Sequence, residues 1–317
     1  MPGTTQAEAV SDYAPYRPSA ALRPFVSWGT GYRQAGLEPA SHRGLPSPWL
    51  TLIVTLDEPL VITAHPDPGQ PPSAHDFLLG GLRTAPATVT HEGRQSGIQL
   101  GLTPLGARAL LGVPAAELAS IDVEATDVLG ALATRVRERV LAEAGWPGRF
   151  AALEAFLARR VQQATGTETA GAGSPGAGRL ARARPEVSYA WRRLRDSRGS
   201  VSVSDLAAET GWSARHLGAQ FRAETGLSPK EAARVIRFDR ARRLLAGWQA
   251  GTQASGQAGT QASTARPGTL ADLAAECGFY DQAHLARDFR DLAGCPPSQW
   301  MAEEFRYVQA APHGDWE

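Results

Sequence analysis

The chain has 317 residues, with 32 Lys+Arg against 32 Asp+Glu, so a formal charge of zero gives no whole-molecule field that would favour a polyanionic partner. Two cysteines, Cys277 and Cys295, are too few for a disulfide framework and lack metal-ligand spacing, which fits a reducing compartment. The start, MPGTTQAEAVSDYAPYRP, has neither a basic opening nor an apolar run, and no stretch approaches 18 uninterrupted apolar residues; neither a signal peptide nor a membrane span is expected, and a cytoplasmic location is.

The length allows two domains. Residues 13–125 read as strands and turns. WLTLIVTLD from Trp49 is an apolar strand, EPLVITAHP continues after a turn, and FLLGGLRTAPATVTHEG and SGIQLGLTPLGARALLG are further short runs punctuated by Gly and Pro. A compact, mostly β domain is expected, in the form of a small barrel. From Asp127 the period becomes helical on both sides of a Gly-Trp-Pro-Gly break, with Leu129, Leu132, Val136 and Val140 on one stripe and Phe150, Leu153, Phe156 and Leu157 on another. This predicts a helical hairpin closing a first domain over 1–163. TGTETAGAGSPGAG then reads as a flexible linker, placed at 164–184. A second low-complexity tract, GWQAGTQASGQAGTQASTARPG at 247–268, has no apolar period and reads as a disordered insertion.

DLAAETGWSARHLGAQFR from Asp205 and DLAAECGFYDQAHLARDFR from Asp272 are nearly the same text. In the first copy Ser204 is the expected N-cap, and Leu206 and Ala207 start an apolar face. Gly211 ends that helix, and Ser213 caps a second helix carrying Leu217 and Phe221. In the second copy Leu273, Ala274, Gly278, Phe279, Leu285 and Phe289 take the same places, with one extra residue in the turn. Both copies trail into a Gly and a Pro, Gly226 with Pro229 and Gly294 with Pro297, which end one helix and open the next. PKEAARVIRFDRARRLLAG between them is a long amphipathic helix with Val235, Phe238, Ala241 and Leu245 on one stripe. Two helix-turn-helix units, about 202–222 and 269–290, joined by a long helix, are therefore expected within 185–306.

This stretch resembles the AraC/XylS family of bacterial transcription regulators. The second copy is the closer match, through Gly278-Phe279, Asp281-Gln282, His284, Phe289-Arg290, Gly294 and Pro297. The resemblance implies an α+β chain: an N-terminal cupin-like β-barrel domain with a helical hairpin, then an all-α domain whose two recognition helices enter successive major grooves of double-stranded DNA. It implies base-facing positions at Arg215, Gly218 and Ala219, and at Gln282, Ala283, Ala286 and Arg287, with His216 and His284 as further candidates or as packing and capping residues. Arg215 and Arg287 suit guanine, and Gln282 suits adenine. Candidate backbone contacts are Arg192, Arg193, Arg195, Arg198, Ser213, Arg222, Arg237, Arg240 and Arg290; for Arg237 and Arg240 an ordinary solvated helix face is the alternative. From Arg179 to Ala246 there are 15 basic and 7 acidic residues, and from Arg266 to Arg306 there are 4 and 7, so phosphate attraction is expected to be led by the first unit, with Asp281, Asp288 and Asp291 opposing it in the second.

For the first domain the resemblance implies a small-molecule effector, a homodimer contact, or both. Trp28, Tyr32, Trp49 and Phe77 either line such a pocket or form core. His42, His65, His75 and His91 show no His-x-His or His-x-x-x-His pair, so no metal is expected and no cofactor is implied. Neither a Lys-Ser/Thr phosphate loop nor a G-x-S-x-G elbow occurs, so catalysis is not expected. Contact with RNA polymerase is a further partner implied by the family. The competing reading is a helical interaction module of the same ancestry with weak or lost DNA binding, motivated by Gly218, Ala219 and the acidic second unit.

Overall fold

A computed structural model describes residues 10–166, 183–255 and 268–304. The chain divides into two compact units. One comprises Met1–Ser41, Trp49–Leu82 and Thr88–Ala183; the other comprises His42–Pro48, Arg83–Ala87 and Arg184–Glu317.

The β region contributes β1 (Val10–Tyr16), β2 (Val26–Ala35), β3 (Ala40–Gly44), β4 (Leu50–Thr55), β5 (Leu60–Ala64), β6 (Ser73–His75), β7 (Phe77–Gly80), β8 (Ala87–His91), β9 (Gln95–Leu102) and β10 (Asp122–Glu124). They form a six-stranded sheet in the order β1-β2-β9-β4-β7-β10 and a four-stranded sheet in the order β3-β8-β5-β6. The run read from Trp49 becomes β4, flanked by β9 and β7 with Leu52 opposite both Leu100 and Leu79, and it is buried on both faces along most of its length, which is why it is apolar. β9 carries glycine at 97 and 101 because rings from β2 lie over it. Trp28 is paired with Gly101 and Tyr32 with Gly97, and a Cβ at either glycine would fall within 3 Å of the facing ring or its hydroxyl.

The expected cupin-like barrel does not form: neither sheet closes. The six-stranded sheet ends on β1 and β10, which are poor closing partners. β1 is exposed along most of its length and carries Pro15, which an edge strand tolerates. β10 has three residues and runs straight into a helix. Short apolar runs separated by Gly and Pro specify strands and turns; closure requires long-range pairing that no local pattern encodes.

Helices follow: α1 (Ala107–Leu111), α2 (Ala125–Leu129), α3 (Ala131–Ala142) and α4 (Trp146–Gly166). α3 and α4 are the expected hairpin, with Val136, Val140, Leu153, Phe156 and Leu157 buried. α4 lies against β1 and β2. Trp146 fills the space over Gly31, Phe150 stacks near Tyr16, and the Tyr16 hydroxyl donates to Glu154 at 2.7 Å.

The C-terminal helices are α5 (Pro185–Asp196), α6 (Val203–Thr210), α7 (Ala214–Thr225), α8 (Pro229–Ser255), α9 (Leu270–Glu276), α10 (Gln282–Ala293) and α11 (Pro297–Glu304). Their core is aromatic. Trp191 meets Phe221 at 5.8 Å, and Phe289 meets Phe238 edge-on at 4.9 Å and Trp300 at 6.3 Å. Leu206, Leu217, Phe221, Leu273, Leu285 and Phe289 are fully buried, each side chain stabilising the fold by about 1.5–3 kcal/mol relative to exposure. The tract expected to be disordered from Gly247 continues α8 through Ser255, in a stretch that contains Ala and Gln but no Pro. The rest of that tract, 256–267, and most of the expected linker, 167–182, lie outside the described residues.

Candidate nucleic-acid interface

The two repeats fold as the same local device. α6 is capped by Ser202, not Ser204: the Ser202 hydroxyl accepts from Asp205 N at 3.0 Å, one turn before the apolar face begins. The helix stops at Gly211, with φ +72, and Trp212 N donates back to Ala207 O. Ser213 then caps α7 by accepting from His216 N. In the second unit a capping box between Thr269 and Asp272 opens α9, Gly278 turns at φ +75, Phe279 N donates to Ala274 O, and Asp281 caps α10 through His284 N at 2.6 Å. The extra residue in the second turn is Tyr280, which is 93% exposed.

His216 and His284 occupy equivalent places, each edge-on to the aromatic residue behind its turn glycine. The ring centroids are 4.6 Å apart for Trp212–His216 and 5.3 Å for Phe279–His284. His284 Nδ1 also accepts from Tyr280 N. The His284 ring is thus engaged in packing and in a turn hydrogen bond, while the His216 ring packs on Trp212 and remains exposed.

The second helix of each unit is two-sided. On α7, Leu217 and Phe221 point inward, Arg215, Ala219 and Arg222 are exposed, and Gly218 sits between them with open space where a Cβ would project. On α10, Leu285, Phe289 and Leu292 are inward, and Gln282, Ala283, Arg287 and Arg290 are exposed with Ala286 half-buried. The positions named from sequence as base-facing thus share one face on each helix, which is what a groove-entering helix requires.

The backbone candidates divide into two groups. Arg192, Arg195 and Arg198 are exposed. Arg193 is 3.3 Å from Glu209, which also accepts from the Tyr189 hydroxyl, and Arg222 is 2.9 Å from Glu231. Ser213 is occupied as a cap. Arg237 and Arg240 are turned to internal work. Arg237 donates to Gly199 O at 2.7 Å and lies over the Phe279 ring at 5.7 Å; burial lowers its pKa. Arg240 donates to both the carbonyl and the carboxylate of Glu276 at the end of α9.

With Arg234, which the sequence reading did not single out, these make a row at i, i+3 and i+6 of α8: Arg234 and Arg240 grip the second unit, and Arg237 between them bonds Gly199 O and covers the Phe279 ring. Arg234 Nε and Nη2 reach Asp288 Oδ1 at 3.1 and 2.8 Å, and Nη2 also reaches Asp291 Oδ2 at 2.7 Å. Two of the carboxylates expected to repel phosphate therefore share one guanidinium, which offsets one of their two negative charges. Asp288 is buried and Asp291 is held by the same guanidinium. Asp281 remains exposed as the α10 cap.

Cys277, just before the turn glycine, is buried, and burial pushes its thiol up to about 11, so it is no nucleophile at neutral pH. Among the effector-pocket candidates, Trp28, Tyr32 and Phe77 are buried, the first two over the β9 glycines, and Trp49 is half-buried. Among the described residues no group of three or more His, Cys, Asp or Glu side chains is arranged to hold a metal, and no helix is long and apolar enough to cross a membrane.

Residues 14–124 match the model of a domain of unknown function, DUF6597. No curated protein matches the sequence. Solved structures with an overall likeness include ToxT from Vibrio cholerae O395 bound to (E)-4-(8-methylnaphthalen-1-yl)but-3-enoic acid, at 11% identity over 86% of this chain and 97% of that chain, with a TM-score of 0.46. A second ToxT structure from Vibrio cholerae is 11% identical over 87% of this chain and 97% of that chain, TM-score 0.43. The AraC-like transcriptional activator CuxR is 14% identical over 76% of this chain and 88% of that chain, TM-score 0.27.

Proposed function

We propose that this chain is a sequence-specific, double-stranded-DNA-binding transcriptional regulator of the AraC/XylS type. In this reading α7 and α10 are the recognition helices, and the β-rich region with its helical hairpin answers a small-molecule effector or dimerises the protein. The carrying observation is the pair of glycine-turned, side-chain-capped helix-turn-helix units, each with an arginine-bearing exposed face, held to one helix by Arg234, Arg237 and Arg240. Arg215, Gly218 and Ala219 on one side, and Gln282, Ala283, Ala286 and Arg287 on the other, are the base-edge positions of this proposal. Arg192, Arg195, Arg198 and Arg290 are its phosphate contacts. Arg237 and Arg240 act through the architecture instead, because Arg237 Nη1 and both terminal nitrogens of Arg240 are already engaged within the protein.

The reading as an interaction module without DNA contact draws support from the side-chain-poor face at Gly218 and Ala219. It loses support where Asp288 and Asp291 face Arg234. The two separate by titrating full-length protein with its own upstream region and with random duplex at two salt concentrations. A regulator prefers the former and weakens steeply with salt. Arg215→Ala and Arg287→Ala should each lose about 1–3 kcal/mol of discrimination at one base pair, and Arg192→Ala should weaken all duplexes alike and flatten the salt slope. Equal, salt-insensitive affinity for both duplexes would refute the proposal.

A further inference from the structure

A chain of buried polar groups laces the two sheets together at their edges. Asp122 Oδ2, on β10, is 3.2 Å from His65 Nδ1, just past β5, and both side chains are 0% exposed. His65 Nε2 is 2.9 Å from Ser73 Oγ on β6. Ser73 Oγ is 2.7 Å from His75 Nε2, two residues along the same strand. His75 Nδ1 then faces Glu124 Oε2, back on β10, at 3.5 Å, and is buried without a hydrogen bond. β6 is the end strand of the four-stranded sheet and β10 the end strand of the six-stranded one. The connection after β5 is tied to the same place, since Gln70 exchanges hydrogen bonds with the Asp122 backbone.

Hydrogen counting shows what this chain lacks. Four contacts need four hydrogens. With both carboxylates ionised and both imidazoles neutral, His65, Ser73 and His75 supply one each, which leaves one contact with lone pairs on both sides. If His65 gives its hydrogen to Asp122, Ser73 must donate to His65, and His75 must use Nε2–H toward Ser73. Its Nδ1 lone pair then faces the Glu124 carboxylate, at the contact that is longest in the structure. Neither end can move away cheaply. Glu124 is held by Asp76 N at 3.1 Å and Phe77 N at 2.9 Å, and His75 is fixed in its strand.

We propose that Asp122, His65, Ser73, His75 and Glu124 form a single proton-binding site, and that uptake of one proton closes the His75–Glu124 contact and fastens β6 to β10. The ligand is the proton itself, which makes this region an acid-responsive element independent of the DNA-binding assignment. Other charged groups bearing on the site include Asp127 from α2, Asp76 from the turn between β6 and β7, and Arg137 from α3, which is paired to Asp76 at 2.9 Å. Burial disfavours charge at both ends, holding His75 below the ordinary imidazole range and Glu124 above the ordinary carboxylate range, so the two acceptors for the missing proton are brought toward one another.

The test is imidazole nitrogen NMR on the full-length, nitrogen-labelled protein across about pH 5–8, the span in which histidine switches operate. His65 and His75 should change together, with one shared midpoint and a combined uptake of one proton. Ser73→Ala removes the shared hydroxyl and should split this into two independent titrations. Glu124→Gln provides an amide hydrogen for His75 Nδ1, at the expense of the hydrogen bond that Oε2 accepts from Asp76 N, and should abolish the uptake. Independent midpoints for the two rings in the unaltered protein, a combined uptake of zero or two protons, or a folded Glu124→Gln variant that titrates as before would each overturn the proposal. Because the unaltered protein gives the primary readout, the test stands even if a variant does not fold.

Discussion

Removing Arg234 leaves a carboxylate where water cannot reach it well. The Asp288 side chain is 6% exposed and the Arg234 side chain 27%, so the pair is mostly withdrawn from solvent without being sealed. Two of the three guanidinium nitrogens, Nε and Nη2, converge on one oxygen, Oδ1, while Oδ2 has His284 Nε2 at 3.9 Å. Breaking a fully buried pair by deleting one partner costs about 3–5 kcal/mol; the residual exposure of the guanidinium lowers the expectation for Arg234→Ala to about 2–3 kcal/mol. In a unit of this size that is a fall of about 8–15 °C in midpoint. The reverse change, Asp288→Ala, should cost less, because Arg234 retains Asp291 and its own access to water. Arg234→Met with Asp288→Leu should recover most of the loss, since an apolar pair leaves no buried charge. Thermal unfolding combined with hydrogen exchange on α10 amides measures all three. Equal costs for the two single variants, or an Arg234→Ala change within about 0.5 kcal/mol of the parent, would refute the clamp.

Two further outcomes are expected. Gly211→Ala should destabilise by about 1 kcal/mol from the left-handed backbone alone, since its Cβ would meet nothing within 4 Å, whereas Gly218→Ala, mid-helix and equally unobstructed, should stabilise by about as much; denaturant titration distinguishes the signs. Burial opposes the charge on Glu231, but hydrogen bonds from the Ser228 backbone and hydroxyl, with Arg222 and Arg234 nearby, outweigh it and hold the carboxyl below the usual range. A depressed carboxyl stabilises fully above the unfolded-state value and loses that contribution as pH falls through the folded one. Glu231→Gln should therefore flatten the acid limb of stability against pH below about pH 4.5, and an unchanged limb would count against this account.

The repeat was readable because its information is local. Turn glycines, cap residues and inward leucines and phenylalanines recur at fixed offsets, and each has one backbone solution. One cap was misplaced, because Ser202 and Ser204 are both chemically fit and only the start of the apolar face at Leu206 decides between them. Barrel closure was not readable, because it depends on whether β1 and β10, at opposite ends of the domain, can pair. The row Arg234, Arg237 and Arg240 reads from sequence like any solvated stripe, since a guanidinium facing water and one facing Asp288 have the same spacing. Without a His-x-His or His-x-x-x-His pair, the histidines carry no metal signal in the sequence. The available signal was subtler: Ser73 and His75, and Asp122 and Glu124, are i, i+2 pairs, which a strand places on one face.

The grip on the second unit leaves α8 between Arg234 and Arg240, well ahead of Ser255. Packing on α8 holds the second reader: Phe238 against Phe289, Arg234 on Asp288 and Asp291, and Arg240 on Glu276. A longer peptide after Ser255 would raise the entropic cost of closing the loop by only about 0.6 kcal/mol per doubling of length and leave these contacts as they are.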